Sequence, residues 1–166
     1  MDVLSIALEW ARAEAQTASY FVGFGLLFIV FSIGVWRLGE TKMAKAYIFP
    51  MLIAGILLIV LGSLLFDLYD SSIESLKTKY NENPSEFIET EIQRTKASIA
   101  QYKRDLFDVF PFVMGFSALM MIFIKRKIWR AIFITLIAMS TVIMLVDSQA
   151  IALLEEYNRN LNELMK

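Results

Sequence analysis

Asp67, Asp108 and Asp147 each stand beside a stretch of chain that carries no charge, with Asp70, Asp105 and Arg104 one helical turn away from those stretches. Carboxylates gathered at one level attract cations, ligate a hard cation through oxygen, or pair with Arg104 and Lys103. Asp67, Asp108, Asp147 and Arg104 are therefore the candidate cation or ion-pair site. The competing reading is simpler: acidic residues often mark the outer end of a membrane span, where water reaches them.

Other chemistry is narrowed by what the chain lacks. It has no Cys and no His, which removes disulfides, Cys or His metal ligation and the Ser-His and Cys-His nucleophile pairs. The HExxH helix, the GxSxG elbow and the P-loop are absent as well. The remaining acids fall on segments expected to be solvated, so we expect a non-enzymatic protein with no cofactor, no catalytic residue and no dedicated metal ligand. No ionisable side chain falls near the middle of an apolar stretch, where proton relays and coupling sites usually place one.

The elements that position these aspartates are the four charge-free stretches, 15–36, 46–66, 109–124 and 131–146. A helix needs about 20 apolar residues to cross a hydrocarbon core. The first two stretches meet that length; the last two are shorter and require flanking charges to snorkel or the bilayer to thin. The hydrophobic fraction of 57% is high for a soluble domain, and a net charge of −1 gives no footprint for nucleic acid. The pattern predicts an all-α integral membrane protein, a single domain over 1–166, with spans at about 16–37, 46–67, 107–125 and 129–147. These form a four-helix bundle with outer helical extensions at 68–106 and 148–166.

Orientation follows from Lys and Arg. Arg37, Lys42 and Lys45 follow the first span, and Lys125, Arg126, Lys127 and Arg130 lie between the third and fourth, which assigns both connections to the cytoplasm. The N-terminal segment carries Asp2, Glu9 and Glu14 against Arg12. It lacks the basic start of a cleaved signal and is expected to stay, with both termini outside. Trp36, Trp129 and Tyr47 suit one headgroup belt, and Phe107, Phe110 and Tyr69 the other.

Helical spacing continues beyond the spans. Phe66, Tyr69, Ile73, Leu76 and Tyr80 form one stripe; Ile88, Ile92, Thr95, Ile99, Tyr102 and Leu106 form a second; Ala150, Leu154, Tyr157, Leu161 and Leu164 form a third. Between the first two, Asn81 and Glu82 precede a helix start with Asn83 as N-cap, Pro84 at the first position and Glu86 three residues after the cap. A kink is expected near Pro111. Leu4, Leu8, Ala11 and Ala15 make a weaker stripe that either joins the others or lies flat on the membrane. Within the spans, Gly23, Gly25, Gly34, Gly55, Gly62, Gly115, Ala131 and Ala138 permit close helix approach.

With enzyme and coupled-transport chemistry disfavoured, the remaining class acts by contact. Glu86, Glu89, Glu91, Arg94 and Lys96 are expected on exposed or partly exposed positions of the outer extension as a partner surface. The expected function is protein-protein interaction in a bacterial inner or plasma membrane, with immunity against a pore-forming toxin as its specific form. The partners would be the lipid bilayer, another membrane protein or the toxin, and a further copy of the chain, but not nucleic acid. The alternative is an ion channel or transport-associated subunit using the outer acidic residues; an assembly factor of a larger complex is a third reading.

Overall fold

A computed structural model describes residues 3–164. Asp2 and the last two positions of the expected tail extension lie outside the described residues. The helices are α1 (Val3–Leu38), α2 (Lys42–Ala46), α3 (Ile48–Glu82), α4 (Pro84–Arg104), a π-helical turn (Asp105–Val109), α5 (Phe110–Phe123) and α6 (Lys127–Leu164). No strand occurs among the described residues. Four helical stretches are long and apolar enough to cross a membrane: Val3–Leu38, Lys42–Glu82, Pro84–Phe123 and Lys127–Leu164.

The chain breaks where its side chains favour a break. Thr41 Oγ1 accepts from the Ala44 N–H at 3.0 Å and starts the one-turn α2. Asn83 adopts an extended backbone and accepts from the Glu86 N–H at 3.3 Å, and Pro84 sits where a helix has no use for a donor. After α5, Arg130 Nε donates to the Ile124 carbonyl at 3.2 Å, supplying a donor to a helix end. A π turn lies just ahead of Pro111, where a kink is expected: the Phe110 N–H reaches back five residues to the Asp105 carbonyl. Widening the turn ahead of a proline accommodates its missing donor without ending the helix.

Helix α1 runs antiparallel to α3, and glycines set their approach. A Cβ added at Gly25 would lie 2.7 Å from the Gly55 carbonyl oxygen, and one at Gly55 would lie 2.7 Å from the Gly25 carbonyl oxygen. One at Gly62 would meet Phe21 Cβ at 2.8 Å. Ala131 is fully buried. Gly23, Gly34 and Gly115 behave differently: nothing lies within 4 Å of an added Cβ, so they mark no close approach.

Two apolar cores result. Phe21, Leu58, Val142 and Val146 fill the inner one, joined by Phe24, Phe28, Leu61 and Leu65. The outer core takes Ile6, Ala7, Trp10 and Ala11 from α1, Leu76 from α3, Phe87 and Ile92 from α4, and Leu154, Tyr157 and Leu161 from α6. The N-terminal stripe therefore joins the other extensions, with Ile6, Ala7, Trp10 and Ala11 as its buried face. Helix α6 is the common neighbour, packing on α1, α3, α4 and α5, whereas α5 packs on α6 and the π turn.

Candidate functional site

The polar side chains enclosed between the outer helices form two layers. The upper one is built on Glu91, whose side chain is almost completely buried at 4% exposure. Arg94 forks onto it, with Nε at 3.0 and 3.1 Å from the two carboxylate oxygens and an Nη at 2.6 Å. Tyr157 donates its O–H to the same carboxylate at 3.3 Å. The Arg94 guanidinium lies 5.0 Å above the Trp10 ring, and Trp10 stacks on Tyr157 at 5.0 Å and 7°. A carboxylate met by a bidentate guanidinium and a phenol has its charge compensated, which makes its burial tolerable. Beside it, Asn158 Nδ2 donates to Thr95 Oγ1 at 2.5 Å and to the Ile92 carbonyl at 3.2 Å. Burial, followed by the charge of Glu91, holds the Tyr157 phenol well above its ordinary pKa, so it remains a donor.

The lower layer lies where the extensions meet the apolar stretches, and each of the four long helical stretches contributes to it, α1 with Thr17 as well as Glu14. Glu14 comes from α1, Tyr69 from α3, Tyr102 from α4 and Asp147 from α6, around a cavity of about 20 Å³. Tyr69 donates to Glu14 Oε1 at 3.2 Å, and its oxygen lies 3.2 Å from that of Tyr102. Since Tyr69 has one proton and gives it to Glu14, Tyr102 is the donor between the two phenols. Glu14 is 2% exposed, and its other oxygen, Oε2, has no hydrogen-bond partner. Glu14 lies just outside the 16–37 stretch. Burial pushes its carboxyl up to about 7; Tyr69 opposes the shift, Asp147 adds to it and Arg94 opposes it weakly. Burial also raises the pKa of both Tyr69 and Tyr102, keeping their protons in place.

The expected site residues are distributed differently from the sequence reading. Asp67, Asp108 and Arg104 are exposed, and Asp147 is half-buried. The cavity takes in Asp147 but neither of the other two aspartates. Arg104 stands 3.9 Å from its neighbour Asp105, while Lys103 pairs across to Glu155 at 2.6 Å. No group of three or more His, Cys, Asp or Glu side chains able to hold a metal ion occurs among the described residues. Of the expected partner surface, Glu86, Glu89, Arg94 and Lys96 are exposed, but Glu91 is buried. Its position explains the difference: Glu91 lies three residues after Ile88 and four before Thr95, on the stripe that packs inward.

Spacing also held the signal for Glu14, which continues the run Ala7, Ala11, Glu14, Ala18 and Phe21 in steps of four and three, all buried. Its charge concealed it. Comparison with protein-family models, curated proteins and solved structures finds no match.

Proposed function

We propose that the four long helical stretches cross a bacterial inner or plasma membrane as a bundle, with both termini outside the cytoplasm, and that the chain acts by lateral contact with another membrane protein. The observation that carries this reading is the state of α5. Its main support is α6, and Phe112, Phe116, Leu119 and Phe123 form an exposed apolar stripe along it, with the first two rings stacked at 6.4 Å. Such a stripe suits lipid or a neighbouring transmembrane helix. Conduction by a single copy is disfavoured, because Phe21, Leu58, Val142 and Val146 occupy the centre between the other helices.

The specific form proposed is immunity: the chain holds a pore-forming toxin in a non-conducting arrangement. The test challenges cells with a panel of pore-forming toxins, following membrane potential with a voltage-sensitive dye. The potential should hold in cells that make the chain and collapse in cells that do not. Replacing Phe112, Phe116 and Phe123 together by Ala should remove protection while leaving the chain inserted. Equal collapse with and without the chain overturns the immunity reading, and cation flux through vesicles holding the chain alone would favour conduction instead.

A further inference from the structure

Where the extensions meet the apolar stretches, four helical segments place oxygen-bearing side chains around one small cavity. We propose that this cavity binds a single small monovalent cation of about the size of sodium, held by the carboxylates of Glu14 and Asp147 and the phenol oxygens of Tyr69 and Tyr102. The proposal is independent of the contact function above.

Glu91 takes the fork of Arg94, and Arg104 lies beside Asp105. Among the described residues neither Glu14 nor Asp147 is in an ion pair. The buried Glu14 carboxylate and the half-buried Asp147 carboxylate line the same cavity, where their like charges oppose each other and a positive charge between them would relieve both. The groups that bear on them are Tyr69 from α3, Arg94 and Tyr102 from α4, and Asp105 from the π turn. None of these places a free cation in the cavity.

Glu14 Oε2 is buried, has no hydrogen-bond partner, and belongs to a side chain that lines the cavity. A buried oxygen of this kind is costly unless something meets it. The phenol protons are directed along the chain from Tyr102 to Tyr69 to Glu14, which leaves the phenol oxygens with lone pairs to offer. Size then selects the ligand. A cavity of about 20 Å³ has room for about one water-sized body. Magnesium keeps several of its waters and calcium takes about 6–8 oxygens, so either would overfill it. A bare monovalent ion fits, and a proton on either carboxylate competes with it.

Because the four ligands come from four helical segments, the site exists only when those segments are assembled, and bound cation stabilises the folded chain by mass action. The purified full-length chain in non-ionic detergent should unfold several degrees higher in sodium chloride than in choline chloride of equal ionic strength at pH 8. In choline its stability should fall as pH rises from about 4.5 through about 7. Glu14 binds its proton more tightly when folded, and sodium should offset the loss above that window. At pH 5 the sodium response should vanish, and Glu14→Gln should abolish it at pH 8.

Should that variant fail to fold, the wild-type chain still decides. Sodium added near pH 7 in weak buffer should release a fraction of a proton per chain, and choline none. Equal unfolding temperatures in sodium and choline at pH 8, or no proton release, overturn the proposal. A response to calcium or magnesium without one to sodium overturns the monovalent assignment.

Discussion

The outer and inner halves of the same helices are held together by different means. Outside the apolar stretches, large side chains interlock: Trp10 stacks on Tyr157, has the Arg94 guanidinium over its ring, meets Tyr69 edge-on at 6.2 Å, and shares its core with residues from α3, α4 and α6. Inside them, α1 and α3 approach through Gly25, Gly55 and Gly62, while α5 rests mainly on α6 with its phenylalanines turned outward. With the extensions in water, as proposed, the hydrophobic effect drives the first arrangement, because burying a large apolar side chain contributes about 1.5–3 kcal/mol. In the proposed membrane arrangement that drive is absent between the inner halves, because lipid tails are as apolar as leucine and only close packing or hydrogen bonding favours contact. Aromatics are therefore expected to carry stability in the outer half, and the absence of side chains at selected glycines in the inner half.

The largest expected effect is in the outer half. Trp10→Ala removes a stacked ring, an edge contact and a cation-π contact together, at a cost of about 3–5 kcal/mol. Limited proteolysis of the detergent-solubilised chain should then cut between Lys77 and Lys103, while the wild type should resist there. Unchanged resistance would mean that the aromatic cluster does not hold the extensions together.

A smaller but more selective effect is expected among the glycines. Gly55→Leu forces a side chain into the Gly25 carbonyl and Phe28 Cβ, 2.7 and 3.1 Å from the first added carbon, and should cost about 1–3 kcal/mol or more. Gly115→Leu meets open space and should stay within about 0.5 kcal/mol of wild type. Thermal unfolding followed by circular dichroism in detergent compares the two. Similar losses at both positions would remove the distinction between a packed α1–α3 pair and an open α5.

These contrasts also show what the amino-acid sequence reveals. Charge-free stretches, the Asn83 cap and the stripes through Leu76, Ile92 and Leu161 were legible because each rests on local periodicity or local hydrogen bonding. Which glycines touch was not legible: Gly23 and Gly25 are equally small, and only the rotation of α1 against α3 separates them. The lower polar layer was legible in one member, Asp147. Glu14 and the phenols assemble only in three dimensions, and a buried carboxylate contradicts the usual preference of its type for water. Glu91, expected at or near the surface from its charge, is buried for the reason its spacing gives: it lies on the inward stripe.

The smallest expected effect lies at the junction of α3 and α4, where the outer half is tied by local bonds. Asn83 accepts from the Glu86 N–H, and its amide donates to Glu86 Oε2 at 3.0 Å, so cap and third residue satisfy each other. Asn83→Ala removes both bonds at a cost of about 1 kcal/mol. Two features limit the damage to one turn: Pro84 still presets the first helical residue, and Phe87 stays buried against Tyr80, ring to ring at 5.6 Å and 86°. Amide exchange at Glu86 should therefore speed up about fivefold, as expected for 1 kcal/mol of local opening, while amides around Leu58 and Leu154 keep wild-type protection. Faster exchange throughout α4 and α6 would mean that the cap supports the whole outer core, and that local hydrogen bonds, more than the aromatic cluster, distinguish the outer half from the inner one.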